Sequence, residues 1–491
     1  MHGKGTLITL IACLILEAVG LQSQVLPFDL DVGIYRAAGN RSRLEVYLEI
    51  NRGQVTYEEV RGRYVAHLAG VVLINQRGRI VDFREMSIDD IVERLNGAPQ
   101  GTIPKQATFT LAPGEYEVQV AVEDDQGNRA DSSFKIELPA HRDYVLGTST
   151  IQLGRLIRRA SREKEFFKQG LTVWPRAGAV YSRIQPLLWY YVEVYGLTPL
   201  DTVETQAVVW QDSSEAITLG PKRTPSPALV YKDWGAINLS DFTAGDYQLS
   251  FIVAVDGDTA TAKKTFKVVG EELIPSDTGD VLVALSSARL FDFASGMSMI
   301  QPELDLQQYR SGDLANRHRM IRVAVGRLAR EFNRDSTTYL AELLQRWPQV
   351  KAYDPGWRAR GRLSEQGRTI FLHGLPTTIE TYPASSALRE HHIWTFVYPD
   401  STHQFVFVDR KGYGEFALVH ATKPGVVWNE NWRRELPWVP VTPAAAPEAE
   451  VVEPAAVETV APEPVIIDTL AAPALELEAE VAEPAVVETV E

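Results

Sequence analysis

A chain of 491 residues has room for about three domains at roughly 150 residues each, and its composition, 45% hydrophobic and 23% charged, is that of folded globular matter rather than a fibrous or membrane-embedded chain. The 49 Lys and Arg against 64 Asp and Glu give a net charge of −15, but twelve of those negative charges lie in 441–491, which has no Lys or Arg, so the remainder stands near −3. That balance excludes an evenly acidic protein and supplies no basic surplus for nucleic acid.

The chain begins with one Lys in 1–5, an almost unbroken apolar run over 6–15 with no charge until Glu17, and the small residues Ala18, Val19 and Gly20. This order predicts a signal peptide over 1–23. The run is too short for a transmembrane span, which needs about 20 apolar residues. Cys13 is the only cysteine, so a processed chain would have no disulfide, thiolate metal ligand or thiol nucleophile. Leu10, Ile11, Ala12 and Cys13 together resemble a lipobox, and a lipid anchor at Cys13 is the alternative expectation; an N-terminal core helix is a third.

From 26 to 140 the hydrophobic period is two. Leu44, Val46, Leu48 and Ile50 alternate with Glu45, Tyr47 and Glu49, and Tyr116, Val118, Val120 and Val122 alternate with Glu117, Gln119 and Ala121. Alternation of this kind, broken by turn residues at 51–53, 76–78 and 124–128, predicts an all-β sandwich. The segment 143–270 repeats the plan: Gly114, Glu115 and Tyr116 recur 131 residues later as Gly245, Asp246 and Tyr247. Two tandem immunoglobulin-like sandwiches are expected.

Beyond 272–279 the period changes. Ile321, Val325, Leu328 and Phe332 form a helical stripe, and Asp335 with Ser336 can cap a second helix through Trp347, before Pro348. Helices are therefore expected at about 313–347. The segment 310–368 holds thirteen Lys and Arg against six Asp and Glu, which the solvated faces of helices explain; an anionic docking partner is the sharper reading. Strands are expected again over about 368–422, at 369–373, 393–398, 404–409 and 415–422, with Gly412 and Gly414 in a turn. Phe405 and Phe407 face one side and Val406 and Val408 the other, so that strand should be covered on both faces. The whole of 280–438 reads as a small α+β domain. From 441 to 491 the composition collapses to Ala, Pro, Glu and Val with an internal repeat, and a disordered acidic tail is expected.

The stretch 405–422 (FVFVDRKGYGEFALVHAT), preceded by Ile393 and Trp394 and followed by Asn431 and Trp432, resembles the GWxTD domain proteins, best known from secreted and envelope proteins of Bacteroidetes and related bacteria. Ile151 to Leu153, Phe167 to Gly170, Val173 to Pro175 and 187–195 (LLWYYVEVY) resemble the β-domain that precedes it in that family. The naming motif has drifted: Gly361, Arg362, Leu363, Ser364 and Glu365 occupy its place, with Arg for Trp, Ser for Thr and Glu for Asp. His392 stands where the family carries Glu. The positions carried over are Gly361, Ser364, Glu365, Trp394, Asp409, Gly412, Gly414 and His420. The resemblance implies an envelope address and a family without an established biochemical activity.

No P-loop, nucleophile elbow, zinc-protease helix or dinucleotide fingerprint occurs in the sequence. The best constellation for chemistry is His373, Asp409 and His420, with Glu365 and the adjacent His391 and His392 near in sequence. Convergence of such groups would bind a divalent metal or move protons. Asp409 also sits where an Asx side chain caps a turn, and Ser364 with Glu365 suits a helix-end or turn cap. The reading is an exported, non-catalytic binding or scaffolding component of a cell envelope, with envelope protein partners and no cofactor. Its rivals are a periplasmic hydrolase or metal-binding protein built on those His and Asp residues, and a glycan-binding module using Trp and Tyr of the middle segment.

Overall fold

The computed structural model describes residues 26–92, 101–160, 165–182, 185–199, 201–226, 228–270, 281–283 and 285–438. The expected signal peptide with Cys13, the 272–279 linker and the acidic tail all lie outside the described residues. Among the described residues strands dominate, as the alternating pattern requires.

In the first segment two sheets face each other. One has the order Phe28–Ala37, Arg41–Asn51, Thr102–Leu111; the other centres on Arg63–Gln76, flanked by Arg79–Val92 on one side and by Gly114–Asp124 and Arg129–Leu138 on the other. Leu44, Val46, Leu48 and Ile50 meet Val72, Ile74, Val118, Val120 and Val122 in one core. The alternation thus places its apolar residues as read. Tyr116 donates its hydroxyl hydrogen to Ala112 O at 3.0 Å, and Tyr247 makes the same bond to Thr243 O at 2.9 Å. The two Gly-acid-Tyr hairpins are therefore built alike, down to a side chain that ties each turn four residues back.

The middle segment contributes a five-stranded sheet ordered Val180–Ser182, Asp258–Val269, Gly245–Val255, Thr202–Gln211, Ser214–Pro225. It packs against a larger sheet through Leu188, Tyr190, Val192, Val209, Leu249 and Phe251. The larger sheet has ten strands and does not stop where the middle segment stops. Its order runs Phe167–Lys168, Leu171–Pro175, Gln152–Arg159, Leu187–Tyr195, Val230–Asn238, then Thr378–Tyr382, His391–Tyr398, Ser401–Asp409, Phe416–Ala421, and the tenth strand, Gly147–Thr148, pairs with the end of Leu187–Tyr195. The join is antiparallel, with Gly235 opposite Glu380 and Ile237 opposite Thr378. The strands of 378–421 extend a sheet begun more than two hundred residues earlier, so no sheet edge separates the α+β segment from the β-domain before it.

Helices cover one face of that sheet. Ser287–Ser298, Leu314–Glu331 and Ser336–Tyr353 bury Phe293, Met297, Ile321, Val325, Leu328, Leu343 and Trp347 against Trp189, Trp234, Trp394, Phe405 and Phe407. Val406 and Val408 turn the other way and pack on Val419 and Trp432, so this strand is covered on both faces. Asp335 caps its helix by accepting from Thr338 N at 2.8 Å.

Two expectations are corrected. The helix from Ser336 does not end before Pro348 but runs through it to Tyr353, because Trp347, Val350 and Tyr353 continue its apolar stripe into the core. The strand expected at 369–373 is the helix Glu365–His373. Its β-branched and aromatic run reads as a strand over five residues, where the two periods are hard to tell apart. Ser364 settles it by capping the first turn, its Oγ accepting from Gly367 N at 3.0 Å. Part of the cation excess of 310–368 is locally paired: Lys351 and Arg358 meet Asp292, Arg334 and Arg346 meet Glu342, and Arg360 meets Asp354.

Candidate functional site

Three walls of different origin enclose a cavity of about 510 Å³ on the helix-covered side of the large sheet. Its floor is the sheet itself: Ile157, Leu171, Trp189 and Trp234, each at most 4% exposed. One wall is the end of the Ser336–Tyr353 helix with the segment that follows, Tyr353, Asp354, Arg360, Arg362, Ser364, Glu365 and Gln366. The opposite wall is the turn between the last two strands, Arg410, Lys411, Tyr413, Gly414, Glu415 and Phe416. Its volume falls within the 300–1,000 Å³ usual for small-molecule sites.

The segment 354–366 supplies the helical wall. Asp354 is buried; its Oδ2 accepts from Ser364 N at 2.7 Å while Arg360 pairs with Oδ1. Ser364 is thus held from both sides, by Asp354 and by its own capping bond, and Glu365 emerges exposed at the rim. The turn wall is built from Asp409, fully buried, whose carboxylate accepts from Gly412 N at 2.8 Å, Tyr413 N at 3.2 Å and Gly414 N at 2.7 Å. Gly412 and Gly414 have φ of 76° and 81°, a region that β-carbons disfavour. This is the Asx cap anticipated for Asp409, and it presents Tyr413, 84% exposed, at the mouth.

A polar relay crosses the cavity. Arg159 pairs with Glu390, which is 3% exposed at its side chain, and also donates to Gly412 O at 3.2 Å. Glu390 Oε1 lies 3.4 Å from His392 Nε2, and Gln366 Nε2 lies 3.1 Å from His392 Nδ1. An amide nitrogen can only donate, so Nδ1 accepts and the Nε2 hydrogen points to Glu390. Tyr353 completes the chain with its hydroxyl 3.4 Å from Gln366 Oε1. Burial alone would raise the Glu390 carboxyl, but His392 and Arg159 together hold it below its usual range. Phe416 lies against the His392 ring, with centroids 4.0 Å apart.

The constellation named for chemistry does not gather here. His373 ends the Glu365–His373 helix between the rings of Phe332, Phe396 and Phe405, 3.2 Å from Lys423 Nζ. Burial, helped by Lys423 and Arg346, lowers its pKa to about 3. His420 lies in the last strand, its Nδ1 accepting from Asn429 N at 3.2 Å beside Trp428 and Trp432. His391 stacks on Tyr382, and burial takes its pKa down to about 4. Trp394 is core. Gly361 ends the short helix Trp357–Arg360 in the left-handed conformation. Among the described residues no group of three or more His, Cys, Asp or Glu is disposed to hold a metal ion. The middle segment's Trp189, Tyr190, Tyr191, Tyr195, Tyr231 and Trp234 are at most 3% exposed and offer no flat sugar platform.

The sequence reading missed Arg158, Arg159, Trp189, Asp354 and Glu390, all at the cavity or its walls. Only Glu390 had a signal, its place beside the His391 and His392 pair.

No family model matches the sequence, and no curated protein matches it. Solved structures similar in part include dimeric latent PorU from Porphyromonas gingivalis (12% identity, TM-score 0.21, covering 50% of this chain and 20% of that one). Others are the fibronectin(III)-like modules of CbhA from Clostridium thermocellum (13%, 0.13, 50% and 94%) and the D1–D4 ectodomain fragment of ICAM-5 (9%, 0.17, 51% and 70%). The chain spans a fifth of the PorU chain it matches. Scores this low carry no argument about activity. Among the described residues no helix is long and apolar enough to cross a membrane.

Proposed function

We propose that the chain is an exported, non-catalytic binding or scaffolding component of a bacterial cell envelope, made of two immunoglobulin-like sandwiches and an α+β portion related to GWxTD domain proteins. The observation that carries this reading is the way the parts are joined. The first sandwich meets the middle segment through a sealed charge cluster: Lys168, 0% exposed at its side chain, pairs with Glu45 and lies 2.8 Å from Tyr47 Oη. Arg43 reaches Glu193 at 3.2 Å, and Ala177 N donates to Glu49 Oε2 at 2.7 Å. The ten-stranded sheet then carries the same body into the last strands. A rigid frame whose nominated His and Asp residues are dispersed suits holding partners apart or together better than it suits hydrolysis.

The test is subcellular fractionation of the native host with intact-mass measurement. The reading expects the protein in the envelope fraction, starting between residues 21 and 25 or carrying diacylglycerol on Cys13. A cytosolic protein retaining Met1 overturns it.

A further inference from the structure

The cavity has more positive charge on its walls than its own structure uses. Six cations line it, Arg158, Arg159, Arg360, Arg362, Arg410 and Lys411, against four carboxylates, Asp354, Glu365, Glu390 and Glu415. Arg159, Arg360 and Arg362 are paired with Glu390, Asp354 and Glu415, and Arg410 with Glu435 just outside. Arg158 and Lys411 have no carboxylate partner among the described residues; Arg158 has only Ala352 O at 3.5 Å and the face of Tyr353.

The floor adds an independent observation. Trp189, 2% exposed, lines the cavity, and its indole Nε1 hydrogen has no acceptor. A buried donor left unpaired is costly, and of the eleven such buried atoms among the described residues this is the one carried by a residue that lines the cavity. Around it Ile157, Leu171, Trp234 and Phe416 are apolar. The unspent groups are two cations and an indole donor set round an apolar floor, with one carboxylate, Glu365, at the exposed rim.

We propose that this cavity binds a small amphipathic anion, a molecule with an apolar body and one carboxylate or phosphate head. The body covers Ile157, Leu171 and Trp234, an acceptor oxygen takes the Trp189 hydrogen, and the head is met by Arg158 and Lys411. The inference goes beyond the scaffold reading and does not rest on it; a cytosolic location would leave it standing, and an empty cavity would leave the scaffold standing. Charge complementarity selects this occupant over a neutral apolar one, which would bury Arg158 without a counter-ion.

The experiment is calorimetric titration of the full chain with octanoate, octyl phosphate, 1-octanol and acetate. One or both octyl anions should bind at one site, at least tenfold more tightly than 1-octanol or acetate, and which of them binds better separates a carboxylate source from a phosphate source. Lys411→Gln, a change at the cavity mouth, and Arg158→Gln should each weaken the octyl anion at least threefold without moving 1-octanol. Trp189→Phe should weaken it while the melting temperature changes by only a few degrees. The proposal is overturned by 1-octanol binding as well as octanoate, by Lys411→Gln binding the anions like wild type, or by no saturable heat with either anion at millimolar concentration. If Arg158→Gln fails to fold, Lys411→Gln and the ligand series decide alone.

Discussion

The same two strands serve two polar clusters of opposite character. Gln152–Arg159 begins at the junction with the first sandwich, where Gln152 accepts from Tyr35 Oη at 3.2 Å, and ends at the cavity with Arg158 and Arg159. Leu187–Tyr195 places Trp189 on the cavity floor and Glu193 in the junction, where Tyr191 and Tyr195 donate to its carboxylate at 2.9 and 2.7 Å. At the junction Lys168, Glu45, Tyr47 and Tyr35 bond to one another, and Glu193 is held by Tyr191, Tyr195 and Arg43. At the cavity Arg159 and Glu390 pair, but Arg158, Lys411 and the Trp189 indole do not find such partners. A sealed cluster in which each charge answers another fixes how two domains sit. An open one with donors left over is arranged for something else to complete it. Both carboxylates, Glu45 and Glu390, are 3% exposed, but Lys168 is enclosed where Arg159 is 32% exposed, and that difference sets what each substitution should cost.

The largest effect is expected at the junction. Lys168→Met takes from Glu45 its one fully enclosed partner and leaves it Arg43 at 3.0 Å and the Tyr47 hydroxyl, and removing one partner of a buried pair typically costs about 3–5 kcal/mol. Chemical denaturation should show a correspondingly lower midpoint, and Lys168→Met combined with Glu45→Gln should recover part of the loss. A single variant within 1 kcal/mol of wild type would mean that the cluster is not sealed.

At the cavity the matching substitution should be milder. Arg159→Met strands Glu390, but His392 still touches its carboxylate and the cavity can admit water, so a cost of about 1–3 kcal/mol is expected. If Arg159→Met costs as much as Lys168→Met, the contrast between sealed and open clusters fails.

His373 adds a third environment, an ionisable ring buried with cations for neighbours. Its folded pKa, about 3, lies below the 6.5 of an exposed histidine. The unfolded chain therefore binds the extra proton first, and stability present above pH 6.5 is lost as pH falls from 6.5 toward 3. Between pH 8 and pH 5 this one group should remove on the order of 1–2 kcal/mol, since part of the ring meets solvent. His373→Leu should flatten the stability profile over that interval. An unchanged slope would assign the acid loss to the other histidines that burial holds low, His391, His420 and His141.

What the sequence made legible was local. The period-two strands, the helical stripe of Ile321 to Phe332, the Asp335 cap and the Asp409 turn all depend on residues within a few positions of one another, and each stands where its pattern pointed. The misread helix at 369–373 was also local, but its five residues fit both periods and the deciding cap lay upstream. The junction and the cavity were not legible, because their partners lie far apart in the chain: Lys168 and Glu45 are separated by 123 residues, Arg159 and Glu390 by 231. Nothing in the neighbourhood of Arg159 announces Glu390. The run Phe405 to Val408 did announce a strand covered on both faces, though not what would cover it.

The smallest expected effect tests what the drifted motif is for. Ser364 caps the Glu365–His373 helix through its Oγ and is itself held by Asp354. Threonine, the residue the resemblance places here, offers the same oxygen with one added methyl, and Ser and Thr caps differ little in strength. Ser364→Ala removes the oxygen and should cost about 1 kcal/mol, whereas Ser364→Thr should stay within a few tenths. Thermal melts of the two variants side by side measure both. If threonine costs as much as alanine, the wall around Asp354 is too tight for a methyl, and serine at this position is tied to the shape of the cavity rather than to the cap. If both are silent, Asp354 alone holds the segment and the cap is dispensable. The expected split, alanine costly and threonine not, would make this motif position a device for starting the helix that forms one wall of the site.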